Sequence, residues 1–137
     1  MPMTKPWPEI VNHYDAVGGD SRSIQALATL ARRIAETALS GGLFGWTSML
    51  DLCVVQTEVS YPYNGPLLRI SPVSNDQLEF RYEDTSDKAK QWHRTVDADE
   101  AIPRMLRFLD QLRWFPVGVL NSVADSHGSP IAKSSAT

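Results

Sequence analysis

His93 stands in QWHRTV, residues 91–96, between a tryptophan and an arginine. Arg69 lies in LLRISPV (67–73), and Arg81 lies in QLEFRYE (77–83) between Glu79 and Glu83. A histidine held beside carboxylates and guanidinium groups on a rigid scaffold can bind an anion or act as a general base. Arg69, Arg81 and His93 are therefore the candidate ligand-binding set, with Asp51 as a further neighbour on the same face. The plainer reading is a solvated sheet face whose charges pair across strands, the usual state of an antiparallel sheet facing water.

Cys53 is the single cysteine, which excludes an intrachain disulfide and a thiolate metal cluster. A Cys53–His93 nucleophilic pair would need a partly open, electropositive setting for its thiolate. Cys53 instead lies among Leu52, Val54 and Val55 and reads as a small buried hydrophobe. A lone thiol suits a reducing compartment, so a cytoplasmic location is expected. His13 and His127 have no sequence neighbour that would fix a tautomer or make them ligands. The chain contains no GxGxxG, GxxxxGK[ST], HExxH, GxSxG or EF-hand pattern. GGDS (18–21) has two readings: a phosphate-binding helix entrance, or a helix stop followed by an N-cap. This inventory leads to no expected catalytic residue, metal site or cofactor.

Those side chains must be positioned by elements the chain itself specifies. PEIVNHYDAV (8–17) spaces Ile10, Val11, Tyr14 and Val17 as a helix, which Gly18-Gly19 ends. DSRSIQALATLARRIAETALSGG (20–42) caps at Asp20 or Ser21 and carries one apolar stripe through Leu27, Ala31 and Ile34. LFGWTS (43–48) is expected to tuck its aromatic residues over the end of the core. MLDLCVVQTEV (49–59) reads as a strand covered on both faces in its first half. YPYNGP (61–66) holds Asn64-Gly65, a two-residue hairpin signal, and places Tyr61 and Tyr63 at the tip as candidate partner contacts. Segments 67–73, 77–83 and 91–96 alternate as strands, with Leu78, Phe80 and Tyr82 facing inward. Across the SND turn the favoured register sets Ile70 against Tyr82 and Arg69 against Glu83, because it avoids two arginines face to face. Residues 97–115 form a last helix through Ile102, Met105, Leu106, Leu109 and Leu112.

The expected fold is a two-layer α+β domain over residues 1–116, ordered α-α-β-β-β-β-α. A four-stranded antiparallel sheet would carry the N-terminal and C-terminal helices on one face. Residues 117–137, with few apolar anchors, are expected to form a disordered tail. The net charge of −3 argues against nucleic acid, whose binders carry surplus Lys and Arg. No apolar run reaches the roughly 18 residues of a membrane span, so no membrane partner is expected. The expected function is non-catalytic, through contact with a protein partner or with a second copy. Strand 49–59 is the proposed dimer surface, since in a simple meander it would be an apolar edge unless the last strand closed beside it. The alternative is a small-molecule or anion binder, or a weak acid–base enzyme, using the face around His93.

Overall fold

The computed structural model describes residues 3–63, 65–85 and 87–126. Two helices come first, α1 (Trp7–Val17) and α2 (Arg22–Ala35). Gly18 follows α1 directly, and Gly19 takes φ +51°, a conformation open to glycine. Ser21 then caps α2, its Oγ accepting from the Ile24 N–H at 3.3 Å. GGDS is thus a helix stop followed by an N-cap. The small residues Ala28 and Ala31 are buried on the apolar stripe of α2, Ala28 on the side facing α1.

Five strands follow: β1 (Phe44–Ser48), β2 (Asp51–Val55), β3 (Leu67–Ser74), β4 (Gln77–Glu83) and β5 (Trp92–Asp97). They form one antiparallel meander in the order β1-β2-β3-β4-β5. Two more helices close the described chain, α3 (Ala101–Leu112) and α4 (Val117–Ser126). Pro103 falls in the first turn of α3, where its missing N–H has no intrahelical partner to lose.

Pleating divides the sheet into two unlike faces. Leu52, Val54, Leu68, Ile70, Leu78, Phe80 and Val96 turn inward, into one buried cluster with residues from all four helices. There Phe80 meets Phe108 at 5.0 Å between ring centroids, and Phe108 meets Trp92 at 4.9 Å. Arg94 also lies on this face, at the last strand, with its guanidinium 5.7 Å from the Trp92 ring centre. At the first strand the tightest joint is Trp7 against Gly45. A Cβ at Gly45 would stand 2.7 Å from the Trp7 ring and 2.9 Å from the Cys53 carbonyl oxygen. The Trp7 indole N–H donates to the Leu43 carbonyl at 2.9 Å, which fixes the ring there. Outside β1 the N-terminal segment runs alongside, the Lys5 N–H donating to the Gly45 carbonyl at 2.8 Å.

Four expectations need correction. The sheet has five strands rather than four, because Phe44, Gly45 and Trp46 pair with β2 instead of only capping the core. Met49 and Leu50 form the turn between them, and Met49 takes φ +57° without being Gly, Asn or Asp. In consequence β2 is hydrogen-bonded on both sides, to β1 and β3, so strand 49–59 offers no free edge for a homodimer. The β3–β4 register sets Arg69 against Arg81 and Ile70 against Phe80, not Ile70 against Tyr82. Lastly, the stretch after Pro116 begins with α4, which buries Leu120 and Val123. Residues 127–137 of the expected tail lie outside the described residues, as does Asn64 of the expected turn. Among the described residues no helix is long and apolar enough to cross a membrane.

Candidate functional site

The outer face of the sheet brings the candidate residues together, and the register shows how. Trp46, Cys53, Arg69, Arg81 and His93 are successive cross-strand partners in one row from β1 to β5. A neighbouring row holds Ser48 with Asp51, then Ser71, Glu79 and Thr95. Arg69, Arg81 and His93 thus share one face, as the sequence suggested, and stand directly side by side, which the favoured register did not give.

The arginines face each other because carboxylates surround them. Arg69 Nε lies 2.7 Å from Asp51 Oδ2 in a partly buried hydrogen bond. Arg81 Nη2 approaches the same oxygen at 3.8 Å, its Nε lies 3.5 Å from Glu79, and its Nη1 lies 3.7 Å from Glu83. Burial opposes the charge on Arg69. The hydrogen bond it donates to Asp51 and the neighbouring charges outweigh burial and raise its pKa. His93 Nδ1 sits 3.5 Å from Glu79 Oε2 on an exposed imidazole. With His93 neutral, two arginines against Asp51, Glu79 and Glu83 leave this group one net negative charge. Arg69 is committed to Asp51, whereas Arg81 makes only longer approaches to the acids, and its buried Nε has no hydrogen-bond partner among the described residues. The net negative charge of the group disfavours an incoming anion.

Cys53 belongs to the same row but not to any reactive pair. Three interstrand spacings, roughly 14 Å, separate it from His93. It is fully buried. Burial pushes its thiol up to about 11, with Arg69 opposing and Asp51 adding to the rise. The unfolded chain, whose thiol titrates near 9, therefore loses this proton first as pH rises. The stability held by the protonated thiol is complete below about pH 9 and is lost as pH climbs through about 11. Tyr14, raised mainly by burial, acts in the same direction at higher pH. The denaturant midpoint should fall between about pH 9 and pH 11, with a shallower fall in Cys53→Ala. At neutral pH a thiol reagent should modify the native chain no faster than the chain opens.

Beyond Cys53 the outer face becomes apolar. Cys53, Val55 and Leu67 form a second buried cluster, against which Phe44, Trp46, Val59 and Tyr63 pack. The loop 56–66 that links β2 to β3 supplies Val59 and Tyr63. It splits the two candidate tyrosines. The Tyr63 hydroxyl donates to the Pro66 carbonyl at 2.8 Å. Its ring stands where a side chain on Gly65 would fall, the hydroxyl 2.6 Å from that Cβ position. Tyr63 therefore packs its own loop, whereas Tyr61 is 82% exposed. The Tyr61–Pro62 peptide bond is cis.

At the other side, an open cleft of about 430 Å³ lies beside the charged row, lined by Arg81, Glu83, Lys88, Gln91, Trp92 and His93. No group of three or more potential metal ligands occurs among the described residues. The residue undervalued at the sequence level is Asp51, which joins both arginines. Its position in an alternating strand was readable, but its role depends on a register that sequence alone left open. Comparison with protein-family models, with curated proteins and with solved structures finds no significant match.

Proposed function

We propose that this chain is a non-catalytic protein-contact domain and that its outer sheet face is the contact surface, with Tyr61 as the anchor. The observation that carries this reading is Tyr61 itself. Its ring is 82% exposed on a loop seated upon the apolar cluster of Cys53, Val55 and Leu67. Exposed tyrosines standing on a firmly packed base are typical anchors of protein interfaces, giving large contact area for little ordering cost. The adjoining charged residues would form the polar rim such surfaces carry.

The test is a photoreactive phenylalanine at position 61, with the same group at the exposed Gln111 of α3 as control. A discrete adduct should form at position 61 alone and be competed by the unmodified chain, but not by Tyr61→Ala. Adducts no different from those at Gln111 would overturn the reading. Tyr61→Ala itself should change stability by no more than about 0.5 kcal/mol, as measured by thermal melting, because its ring is exposed.

A second reading rests on the cleft beside His93. A small ligand seated there would contact Arg81, Lys88 and Gln91. Thermal-shift screening against small carboxylic and phosphorylated acids separates the two readings. A shift lost in both Arg81→Gln and His93→Ala favours the ligand site.

A further inference from the structure

The end of the sheet remote from Tyr61 carries the other unusual surface. Met49 is 91% exposed at the β1–β2 turn, and Leu50 beside it is 38% exposed. The Tyr14 hydroxyl donates to the Leu50 carbonyl at 3.0 Å, which sets α1 against this turn. Val17, one helical turn beyond Tyr14, is 44% exposed. The β2–β3 register pairs Leu52 with Ile70. At the same end of the sheet Val73, near the end of β3, is 49% exposed. Four large apolar side chains thus meet water at one end of the molecule.

Acids gather at the same end of the sheet, from the β3–β4 turn across to the β5–α3 junction. The Ser23 N–H donates to the Asn75 carbonyl and the Ala98 N–H to the Asp76 carbonyl, both at 2.8 Å. These bonds draw the start of α2, the β3–β4 turn and the β5–α3 junction together. Asp20, Asp76, Asp97, Asp99 and Glu100 are all exposed there. The cation among them is Arg22, which bonds Asp99 and feels the charges of Asp76 and Asp97. Five carboxylates against one guanidinium leave −4 at this end, more than the −3 of the whole chain. The remainder of the sequence therefore sums to +1, so the formal excess of negative charge lies at this end.

We propose that this end is a docking surface for a basic amphipathic segment of a partner protein, one that sets apolar side chains among lysines or arginines. Met49, Leu50, Val17 and Val73 would receive the apolar side chains, and the methionine's flexible thioether adapts to their shape. The acids at this end would attract the cations and steer approach. A second copy docked symmetrically through this end would bring the two acidic groups face to face, so like charges oppose self-association here. The surface lies at the opposite end of the sheet from Tyr61 and does not depend on that contact.

The probe is a synthetic amphipathic helix of leucines and lysines, compared with the same helix carrying glutamate in place of lysine. Binding to the full chain is read by fluorescence anisotropy and mapped by amide chemical shifts. The lysine helix should bind, with affinity falling as salt rises, and the glutamate helix should not. Met49→Ser and the pair Asp97→Asn with Asp99→Asn should each weaken binding roughly tenfold. The double substitution should also flatten the salt dependence, and thermal melts of each variant confirm that it is folded. Shifts should centre on residues 17, 49–50 and 73–76. No binding, equal binding of both helices, shifts centred near Tyr61, or unaltered affinity in these variants would overturn the proposal. So would light scattering that shows a dimer of the wild-type chain abolished by Met49→Ser.

Discussion

Trp7→Ala should destabilise the chain by about 3–5 kcal/mol, the range for truncating a large buried aromatic side chain. The expectation is specific to its surroundings. Trp7 is 7% exposed and its ring occupies the space where any other residue at position 45 would place a Cβ. Truncation would open a void over β1 and also free the Leu43 carbonyl from its buried indole donor. Thermal melting should show a loss of roughly 10–20 °C for a chain of this size. Gly45→Ala should destabilise too, since its Cβ would meet the Cys53 carbonyl, a backbone atom of the neighbouring strand. The two losses should be less than additive when combined, because removal of the ring relieves one of the two clashes. Full additivity would show that the ring and the glycine do not constrain each other.

Asp51→Ala should cost about 2–3 kcal/mol, somewhat below the figure for breaking a fully buried pair. The reduction reflects the 21% of the Asp51 side chain and 26% of the Arg69 side chain that remain in water. Asp51 is the acid that approaches both opposed arginines. Without it, Arg69 and Arg81 would face each other with only Glu79 and Glu83 nearby. A double-mutant cycle with Arg81→Leu tests this account. The second substitution should recover part of the loss, since it removes the repulsion that the first exposes. Added salt should narrow the gap between Asp51→Ala and wild type by screening the same repulsion. A neutral Asp51→Ala would mean that the arginines are accommodated by something other than this carboxylate.

The inner face was readable because its signal is a strict alternation. Leu78, Phe80 and Tyr82 are buried, and Glu79 and Arg81 between them are not, as period two requires. The α2 stripe was equally plain, with Ser21 serving of the two candidate caps. The helix nonetheless ends at Ala35, short of the expected Gly41-Gly42 stop, and Ala38–Gly41 form a separate 3-10 turn. The β1–β2 hairpin was hidden because its turn is Met49-Leu50, and no preference for positive φ advertises a methionine there. The register failed for a different reason. A pairwise rule between opposed arginines left out Asp51, which reaches them from β2, a strand away. The start of the assumed tail did carry a signal. Pro116 precedes an apolar pair at Leu120 and Val123, and its carbonyl accepts from the N–H groups of Val119 and Leu120. Their burial against the other helices depends on contacts distant in sequence. The sequence put Arg69, Arg81 and His93 on one outer face, and the structure sets them in one row. The sequence did not show that the arginines' charges are already answered.

Arg94 carries a consequence for how the molecule behaves in a crowd. It occupies an inward-pointing position on the last strand, over Trp92, at a margin where another chain could otherwise add. Growth of the sheet from that margin would force a guanidinium out of water and beneath the newcomer. The opposite margin is occupied by the chain's own Lys5 segment. Lateral extension into fibrils is therefore opposed at both borders, and the molecule keeps its backbone to itself while its side chains remain open to encounter.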